Sequence, residues 1–127
     1  MPGGRPFVGV VTVDDQASFR RVAREVIDAT AGFELLGEAE SGEEALALAG
    51  KLAPDLVVLD VCMPGMDGVE TARRLSAANP AATIVLVSAD EMAETACDSC
   101  GAAAFLPKQA FGQVALRRLW EVHGLPS

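Results

Sequence analysis

The chain has 127 residues, is 50% hydrophobic and carries a formal net charge of -8 at pH 7; this length suits one domain with a core of its own. The negative charge argues against direct nucleic-acid binding, which depends on neutralising phosphates with Lys and Arg. No apolar run approaches the roughly 18 residues of a membrane span, and residues 1–6 lack the long apolar stretch of a secretory signal, so we expect a cytoplasmic protein without a membrane partner.

Apolar runs predict β-strands at residues 7–13, 33–39, 55–59, 83–87 and 102–106. Between and after these strands, apolar residues recur at helical spacing. The expected core-facing positions are Phe19, Val22, Ala23, Val26 and Ile27 in the first helix, Ala45, Leu48, Ala49 and Leu52 in the second, Val69, Ala72 and Leu75 in the third, and Phe111, Val114, Ala115, Leu119 and Val122 in the last. A short fourth helix is expected at about 91–99.

Local signals mark several helix ends. Ser41 to Glu44 form a capping-box pattern, and Pro54 ends the helix that follows it. Asp67 is suited to N-cap the third helix, and Gly101 to end the fourth. Strands that alternate with helices imply a parallel sheet with right-handed crossovers. The sequence therefore predicts an α/β fold of three layers, in which a five-stranded parallel sheet is doubly wound by helices.

Carboxylates follow two of the predicted strands. Asp14 and Asp15 close the first strand, and Asp60 closes the third. If those parallel strands lie side by side, three carboxylates meet at one edge of the sheet, where like charges raise each other's pKa unless a cation lies among them. A cluster of hard oxygen ligands suits Mg²⁺, which binds carboxylates together with phosphate oxygens and water. The pattern therefore predicts a metal-assisted phosphate site.

Two more polar residues come at the same edge. Ser88 ends the fourth strand and Lys108 follows the fifth, and ligands of open parallel sheets bind beyond the carboxyl ends of the strands. Phosphoryl transfer depends on positioning and on neutralising charge, which a hydroxyl and an ammonium group can provide. A single strand-end Asp or Ser often only caps a turn, so the prediction rests on the whole set.

In these segments the chain resembles the receiver domain of bacterial two-component response regulators, the CheY-like family. The resemblance runs from about Phe7 to Val122 and rests on VDD at 13–15, LDVCMPGMDG at 59–68 and GAAAFLPK at 101–108. It implies a flavodoxin-like (βα)5 fold with strand order 2-1-3-4-5. We expect the receiver domain at 7–123, between a flexible N-terminal tail at 1–6 and a C-terminal tail at 124–127.

The resemblance also implies a role for each residue at the sheet edge. Asp60 would be the phosphoacceptor, receiving a phosphoryl group from a sensor histidine kinase or a phosphotransfer protein. The implied Mg²⁺ ligands, with Mn²⁺ as the alternative metal, are Asp15, Asp60, the main-chain carbonyl of Cys62 and, through water, Asp14. Ser88 and Lys108 would bind the phosphoryl oxygens.

The family's output runs through a switch that matches Ser88 and Phe105, in which the aromatic ring turns inward once the hydroxyl moves toward the phosphate. The surface of the predicted fourth helix, fifth strand and last helix would then form a homodimer or dock a partner. Leu116 and Trp120 belong either to that surface or to the core.

Lys108 has an unusual neighbour. Many receivers follow this lysine with a proline in a cis peptide bond, whereas Gln109 follows it here and Pro107 precedes it. A cis bond without proline costs about 2.5–4 kcal/mol. Either the site tolerates that strain or Lys108 is aimed differently.

Other residues near the site carry alternatives. Cys62 and Asp90 match positions that tune the lifetime of the acyl phosphate in the family, and Asp90 could instead cap the fourth helix. Cys97 and Cys100 have the C-x-x-C spacing of redox or zinc motifs. A second metal-binding pair is missing from the sequence, so we interpret these two cysteines as small buried residues.

The sequence therefore predicts a phosphorylation-controlled switch that catalyses its own phosphorylation and is not an enzyme in the turnover sense. A degenerate receiver that acts as a constitutive interaction module is the main alternative. An aspartyl-phosphate phosphatase of the haloacid dehalogenase type is disfavoured, because Cys62 stands where that family has a second aspartate. The chain is either a stand-alone receiver, which a start at Met1 favours, or part of a longer regulator with a DNA-binding domain.

Overall fold

The computed structural model describes residues 6–62, 68–89 and 101–124. Its strands are β1 (Val8–Val13), β2 (Phe33–Ala39), β3 (Leu56–Asp60), β4 (Thr83–Ser88) and β5 (Ala104–Pro107). All pairings are parallel, and the order in the single sheet is β2-β1-β3-β4-β5. The predicted sheet and its strand order are confirmed, and the strand ends differ from the predicted ones by at most two residues.

The helices of the described part are α1 (Ala17–Ala29), α2 (Gly42–Leu52), α3 (Gly68–Ala78) and α4 (Gln113–Leu119). A 3₁₀ turn at Lys108–Ala110 precedes α4, and a π-helical turn at Trp120–Gly124 follows it. The predicted fourth helix at 91–99 and the predicted N-cap Asp67 lie outside the described residues. None of the described helices is long and apolar enough to cross a membrane.

Helices cover both faces of the sheet because the side chains of the central strands alternate between the faces. On one face, Val10 of β1 and Val58 of β3 belong to a buried cluster with residues of α1 and α4. On the other face, Val11 and Leu59 belong to a cluster with residues of α2 and α3. The three layers predicted from the sequence are present.

The apolar face of α1 is narrower than the sequence predicts. Phe19, Ala23 and Ile27 are buried, and their spacing of four residues keeps them on one side of the helix. Val26 is half-buried, whereas Val22 is 45% exposed. The prediction that Val22 faces the core is wrong, because one step along a helix rotates a side chain by about 100°.

Helix α4 and the π turn after it depart further from the sequence prediction than α1 does. Val114 and Val122 are 77% and 66% exposed, so the prediction that they face the core is wrong, whereas Leu116 and Trp120 are buried in it. A regular helical period counted from Phe111 fails here because α4 begins two residues later and gives way to a wider π turn. Leu116 and Trp120 are therefore core residues and do not form an exposed surface.

The predicted capping box starts α2. The Ser41 hydroxyl oxygen accepts a hydrogen bond from the Glu44 N–H at 3.2 Å, and the Glu44 carboxylate accepts one from the Glu40 N–H at 3.0 Å. The helix ends at Ala53, which has a φ of 47°, directly before Pro54. Local sequence signals therefore set both ends of this helix.

Candidate functional site

The carboxyl ends of β1 and β3 lie side by side, since Val13 pairs with Leu59 in the parallel ladder. The next residues on the two strands, Asp14 and Asp60, are therefore neighbours. With Asp15 they form a cluster in which one carboxylate oxygen from each lies within 4.8 Å of the others. Asp14 and Asp60 are buried and Asp15 is exposed. The structure thus brings together the three carboxylates expected at this edge.

Asp60 is 3% exposed, and its Oδ1 accepts a hydrogen bond from the Cys62 N–H at 3.3 Å. Burial and then the charge of Asp14 raise the pKa of Asp60 from 3.8 to about 6, against the opposing effect of Lys108. A cation placed beside such a carboxyl group stabilises its charged form. Asp60 is therefore suited to a site where an added cation stabilises the charged form.

Lys108 supplies the positive charge already present in the cluster. Its Nζ lies 2.7 Å from Oδ2 of Asp14 and 3.7 Å from Oδ1 of Asp60, and its side chain is 12% exposed. The peptide bonds of the described residues are all trans, including the one before Gln109. Lys108 therefore reaches the carboxylates without the cis bond that the sequence analysis considered.

Two residues near Lys108 were not assigned to the site from the sequence. Gln16 receives a hydrogen bond from Lys108 Nζ on its Oε1 at 3.2 Å, and its own N–H donates to Oδ1 of Asp14 at 2.8 Å. Phe19, predicted only as a core residue, places its ring centroid 4.8 Å from the same ammonium. The position of Gln16 directly after the Asp pair is the one sequence signal that could have indicated its role.

Arg20 is the third residue that the sequence analysis missed. Its guanidinium donates to the main-chain oxygen of Asp14 at 2.7 Å. It also pairs with Glu38, near the end of β2, and with Glu40, just beyond that strand. A signal was available, because a basic residue in the first turn of a helix opposes the helix dipole and needs compensating contacts. Without the tertiary structure, that signal does not say which contacts those are.

The other predicted site residues lie at the same edge. Ser88 is buried at the end of β4, one residue beyond the position that pairs with Asp60. Cys62 is exposed, and it contributes its main-chain N–H to Asp60. Phe105 is half-buried and packs against the core cluster on the α2 and α3 side of the sheet. Asp90, Cys97 and Cys100 lie outside the described residues.

Helix α3 begins directly over the end of β3. The Gly68 N–H donates to the main-chain oxygen of Val61 at 2.9 Å, and a Cβ atom at Gly68 would clash with the main-chain oxygen of Asp60. Because only a glycine permits this approach, Gly68 helps to set the path of the backbone that carries Asp60.

The donor set fits a divalent cation. Oδ2 of Asp14 is buried and receives no hydrogen bond from the described residues, so its contact with Lys108 is ionic and poorly aligned for hydrogen bonding. Among residues 6–62, 68–89 and 101–124, the three carboxylates share one positive side chain, that of Lys108, and so leave excess negative charge. Oxygen donors of this kind suit Mg²⁺ and Mn²⁺, so the acidic cluster can hold a metal ion.

The family model of the response regulator receiver domain matches residues 10–119 of the chain. A curated relative, protein-glutamate methylesterase/protein-glutamine glutaminase 5 of Myxococcus xanthus, is 36% identical over 118 residues, which are 92% of this chain and 34% of the relative. The chain spans about a third of the length of the curated relatives it matches. The haloacid dehalogenase alternative has no support from these matches.

Solved structures agree with this family match. The signal receiver domain of the response regulator NarL from Mycobacterium tuberculosis is similar with a TM-score of 0.83 and 28% identity, covering 93% of this chain and 97% of that one. The CheX-CheY-BeF3-Mg²⁺ complex from Borrelia burgdorferi contains a chain similar with a TM-score of 0.80 and 27% identity, covering 91% and 88%.

Proposed function

The chain belongs to the response regulator receiver domain family, and from that premise we propose that Asp60 accepts a phosphoryl group and so switches the protein between two signalling states. The observation that carries the proposal is the buried Asp60 beside Asp14, with Lys108 3.7 Å from its carboxylate. In the transfer, an Asp60 oxygen attacks phosphorus, the bond from phosphorus to the donor nitrogen breaks, and the leaving imidazole retains the electron pair and takes up a proton.

Asp14, Asp15, Asp60 and the main-chain carbonyl of Cys62 are the groups that would hold Mg²⁺, with Mn²⁺ as the alternative. When bound, the metal neutralises charge on the transferring phosphoryl group. Support comes from the excess negative charge of the cluster and from the similar chain in the CheX-CheY complex of Borrelia burgdorferi, a complex that was solved with BeF3 and Mg²⁺.

Lys108 and Ser88 would bind the phosphoryl oxygens. The ammonium of Lys108 already lies between Asp14 and Asp60, so a small movement brings it to an oxygen attached to Asp60. Ser88 follows the strand position beside Asp60 and has a hydroxyl that can donate. Its movement would change the packing of Phe105, which is half-buried against the core, and Phe105 would carry the change to the surface. Cys62 and Asp90 would tune the lifetime of the phosphorylated state.

The test is the intact mass of the chain after incubation with acetyl phosphate and Mg²⁺. We expect a gain of one phosphoryl group that requires the metal and is lost in Asp60→Ala. Asp14 is also buried beside Lys108, but its Oδ1 accepts from the Gln16 N–H and its Oδ2 pairs with Lys108 at 2.7 Å, which favours Asp60 as the acceptor. Asp28→Ala, which removes an exposed carboxylate of α1, is the matched control and should behave as the native chain. A folded native chain that gains no mass and does not bind beryllofluoride would favour the constitutive interaction module.

A second part of the proposal concerns output. Val114 is 77% exposed on α4, and a groove of about 400 Å³ beside it is lined by Leu106, Ala110, Val114, Ala115, Arg118 and Leu119. We propose that this face, formed by β5 and α4, pairs with a second copy of the chain after phosphorylation; the predicted fourth helix, which the sequence analysis assigns to the same surface, lies outside the described residues. Val114→Glu should prevent any beryllofluoride-induced dimer in sedimentation velocity, without affecting phosphorylation.

The donor in the cell would be a sensor histidine kinase or a phosphotransfer protein. Since the chain spans about a third of the methylesterase/glutaminase relatives, we propose that it regulates an activity that lies in another domain or in a partner. The chain itself would carry out its own phosphorylation and no further turnover reaction.

A further inference from the structure

We propose that Arg20 is a positioning residue for the metal site, and that it acts through the peptide bond between Asp14 and Asp15. One Nη of Arg20 donates to the main-chain oxygen of Asp14 at 2.7 Å. Its other nitrogens lie 3.5 Å from Glu38 and 3.2 Å from Glu40. Arg20 therefore connects the end of β1, where the acidic cluster begins, to the end of β2. The inference rests on the proposed function, because it concerns the affinity of that site for Mg²⁺.

Two other polar groups of Asp14 already have hydrogen bonds. Its N–H donates to the main-chain oxygen of Ala39 at 3.0 Å, and its Oδ1 accepts from the Gln16 N–H at 2.8 Å. The main-chain oxygen is the group that Arg20 controls. Since a peptide unit is planar, the orientation of that oxygen also sets where the chain places Asp15, the exposed member of the cluster.

Arg20 is itself held in place. Arg20 lies in the first turn of α1, and its side chain is only 14% exposed. Glu38 and Glu40 compensate its charge and orient its planar fork, which suits the simultaneous contact of several acceptors. Glu38 also binds Arg24 at 2.7 and 3.0 Å, so it keeps a partner if Arg20 is replaced.

Charge and geometry predict opposite effects for Arg20. Because its positive charge lies close to the acidic cluster, Arg20 repels Mg²⁺. If this repulsion were its only effect, replacing Arg20 by a neutral residue would strengthen Mg²⁺ binding. As a positioning residue, it fixes the carbonyl and the following aspartate, so its removal would weaken Mg²⁺ binding. The sign of the change in affinity therefore separates the two roles.

The experiment is calorimetric titration of the full chain with Mg²⁺, for the native protein, Arg20→Gln, Arg20→Lys and Arg24→Gln. Removing groups that orient metal ligands typically costs about 10–100-fold in affinity, and we expect a loss near the lower end, about tenfold, for Arg20→Gln. Arg20→Lys, which keeps the charge and loses the fork, should also bind more weakly than the native chain. Arg24→Gln removes a charge from the same helix without touching Asp14, and should leave the affinity unchanged.

Amide hydrogen exchange in the metal-free chain gives a second measurement. The Gln16 N–H should exchange faster in both Arg20 variants than in Arg24→Gln, because its acceptor Asp14 is less firmly held. If Arg20→Gln does not fold, Arg20→Lys gives the same comparison. Native-like or tighter Mg²⁺ binding by the Arg20 variants would overturn this inference alone. Failure of the native chain to bind Mg²⁺ would overturn the proposed function, and this inference with it.

Discussion

Strand β3 carries a buried aspartate at each end, and the two have different surroundings. Asp55, just before the strand, is 6% exposed, and its Oδ2 accepts a hydrogen bond from the Gly9 N–H at 2.8 Å. Its main chain also bonds to Gly9 and Thr83, at the starts of the neighbouring strands. Asp60, at the other end, is 3% exposed, and it lies beside a second buried carboxylate and a lysine 3.7 Å away.

Burial of a carboxylate therefore does not by itself indicate function. Asp55 receives a short bond from a buried amide and ties β3 to β1 and β4, so it stabilises the sheet. Within the described part of the chain, Asp60 accepts one longer hydrogen bond and has a like charge nearby, and its pKa is raised to about 6. The chemistry of a parallel sheet develops at the carboxyl ends of its strands, and the amino ends are free to serve stability.

Lys108→Met should have the largest effect on the Asp60 end. Removing one member of a buried ion pair typically costs about 3–5 kcal/mol, because the buried carboxylates of Asp14 and Asp60 would lose the ammonium group beside them. The pKa of Asp60 should rise further, since Lys108 lowers it, so the loss should be greater at pH 8 than at pH 5. Chemical unfolding at both pH values, with and without Mg²⁺, measures the effect. A loss that does not depend on pH would contradict the prediction.

Substitutions of the two aspartates should have opposite signs. Asp55→Ala leaves the Gly9 amide without its acceptor and should destabilise the chain by about 2 kcal/mol. Asp60→Asn should stabilise the metal-free chain at pH 7.5, because it removes a buried charge whose pKa is raised. The expected gain is about 2 kcal/mol, after allowing for screening by water at the carboxyl edge of the sheet.

The pH dependence follows from the raised pKa of Asp60. The native state holds the Asp60 proton up to a pKa of about 6, whereas the unfolded state loses it near 3.8. The stability that the native state gains by holding this proton more tightly is fully present below pH 3.8 and is lost as the pH rises through 6. The advantage of Asp60→Asn should therefore grow between pH 4 and pH 7 in unfolding experiments. An Asp60→Asn variant that is less stable than the native chain at pH 7.5 would contradict this prediction.

Two glycines give a smaller and purely steric comparison. A Cβ at Gly68 would clash with the backbone of Asp60, whereas a Cβ at Gly50 of α2 meets nothing within 4 Å. Gly68→Ala should destabilise by about 1–3 kcal/mol and slow phosphorylation. Gly50→Ala should stabilise by about 0.5–1 kcal/mol and leave phosphorylation unchanged. Thermal unfolding and the rate of mass gain with acetyl phosphate test both, and equal stabilities would contradict the clash.

Much of the fold could be predicted from the sequence because its signals are local. The apolar runs of β1 and β4, the capping box at Ser41 and the end of α2 before Pro54 each depend on neighbouring residues. Val22, Val114 and Val122 were assigned to the wrong side. Which apolar side chain faces the sheet depends on the rotation of each helix against it, and for the last helix on a π turn that the sequence does not indicate.

The candidate site likewise contains residues that the sequence predicts and residues that it does not. Asp14, Asp15, Asp60, Ser88 and Lys108 stand at strand ends, where sequence position and parallel topology already imply proximity. Gln16 and Arg20 were missed because their importance lies in the contacts of flexible side chains with Lys108 and with the carbonyl of Asp14. Such contacts join residues that are far apart along the chain or on different elements.

The sequence alone predicts the alternation of strands and helices, the parallel sheet and the residues that meet at its carboxyl edge, since periodicity and strand ends are properties of short segments. The folded chain is needed to show which valines are exposed, that Lys108 pairs with Asp14 at 2.7 Å through an all-trans backbone, and that Arg20 joins β1 to β2. These features depend on burial, helix rotation and charge pairing, which arise only when distant segments of the chain pack together.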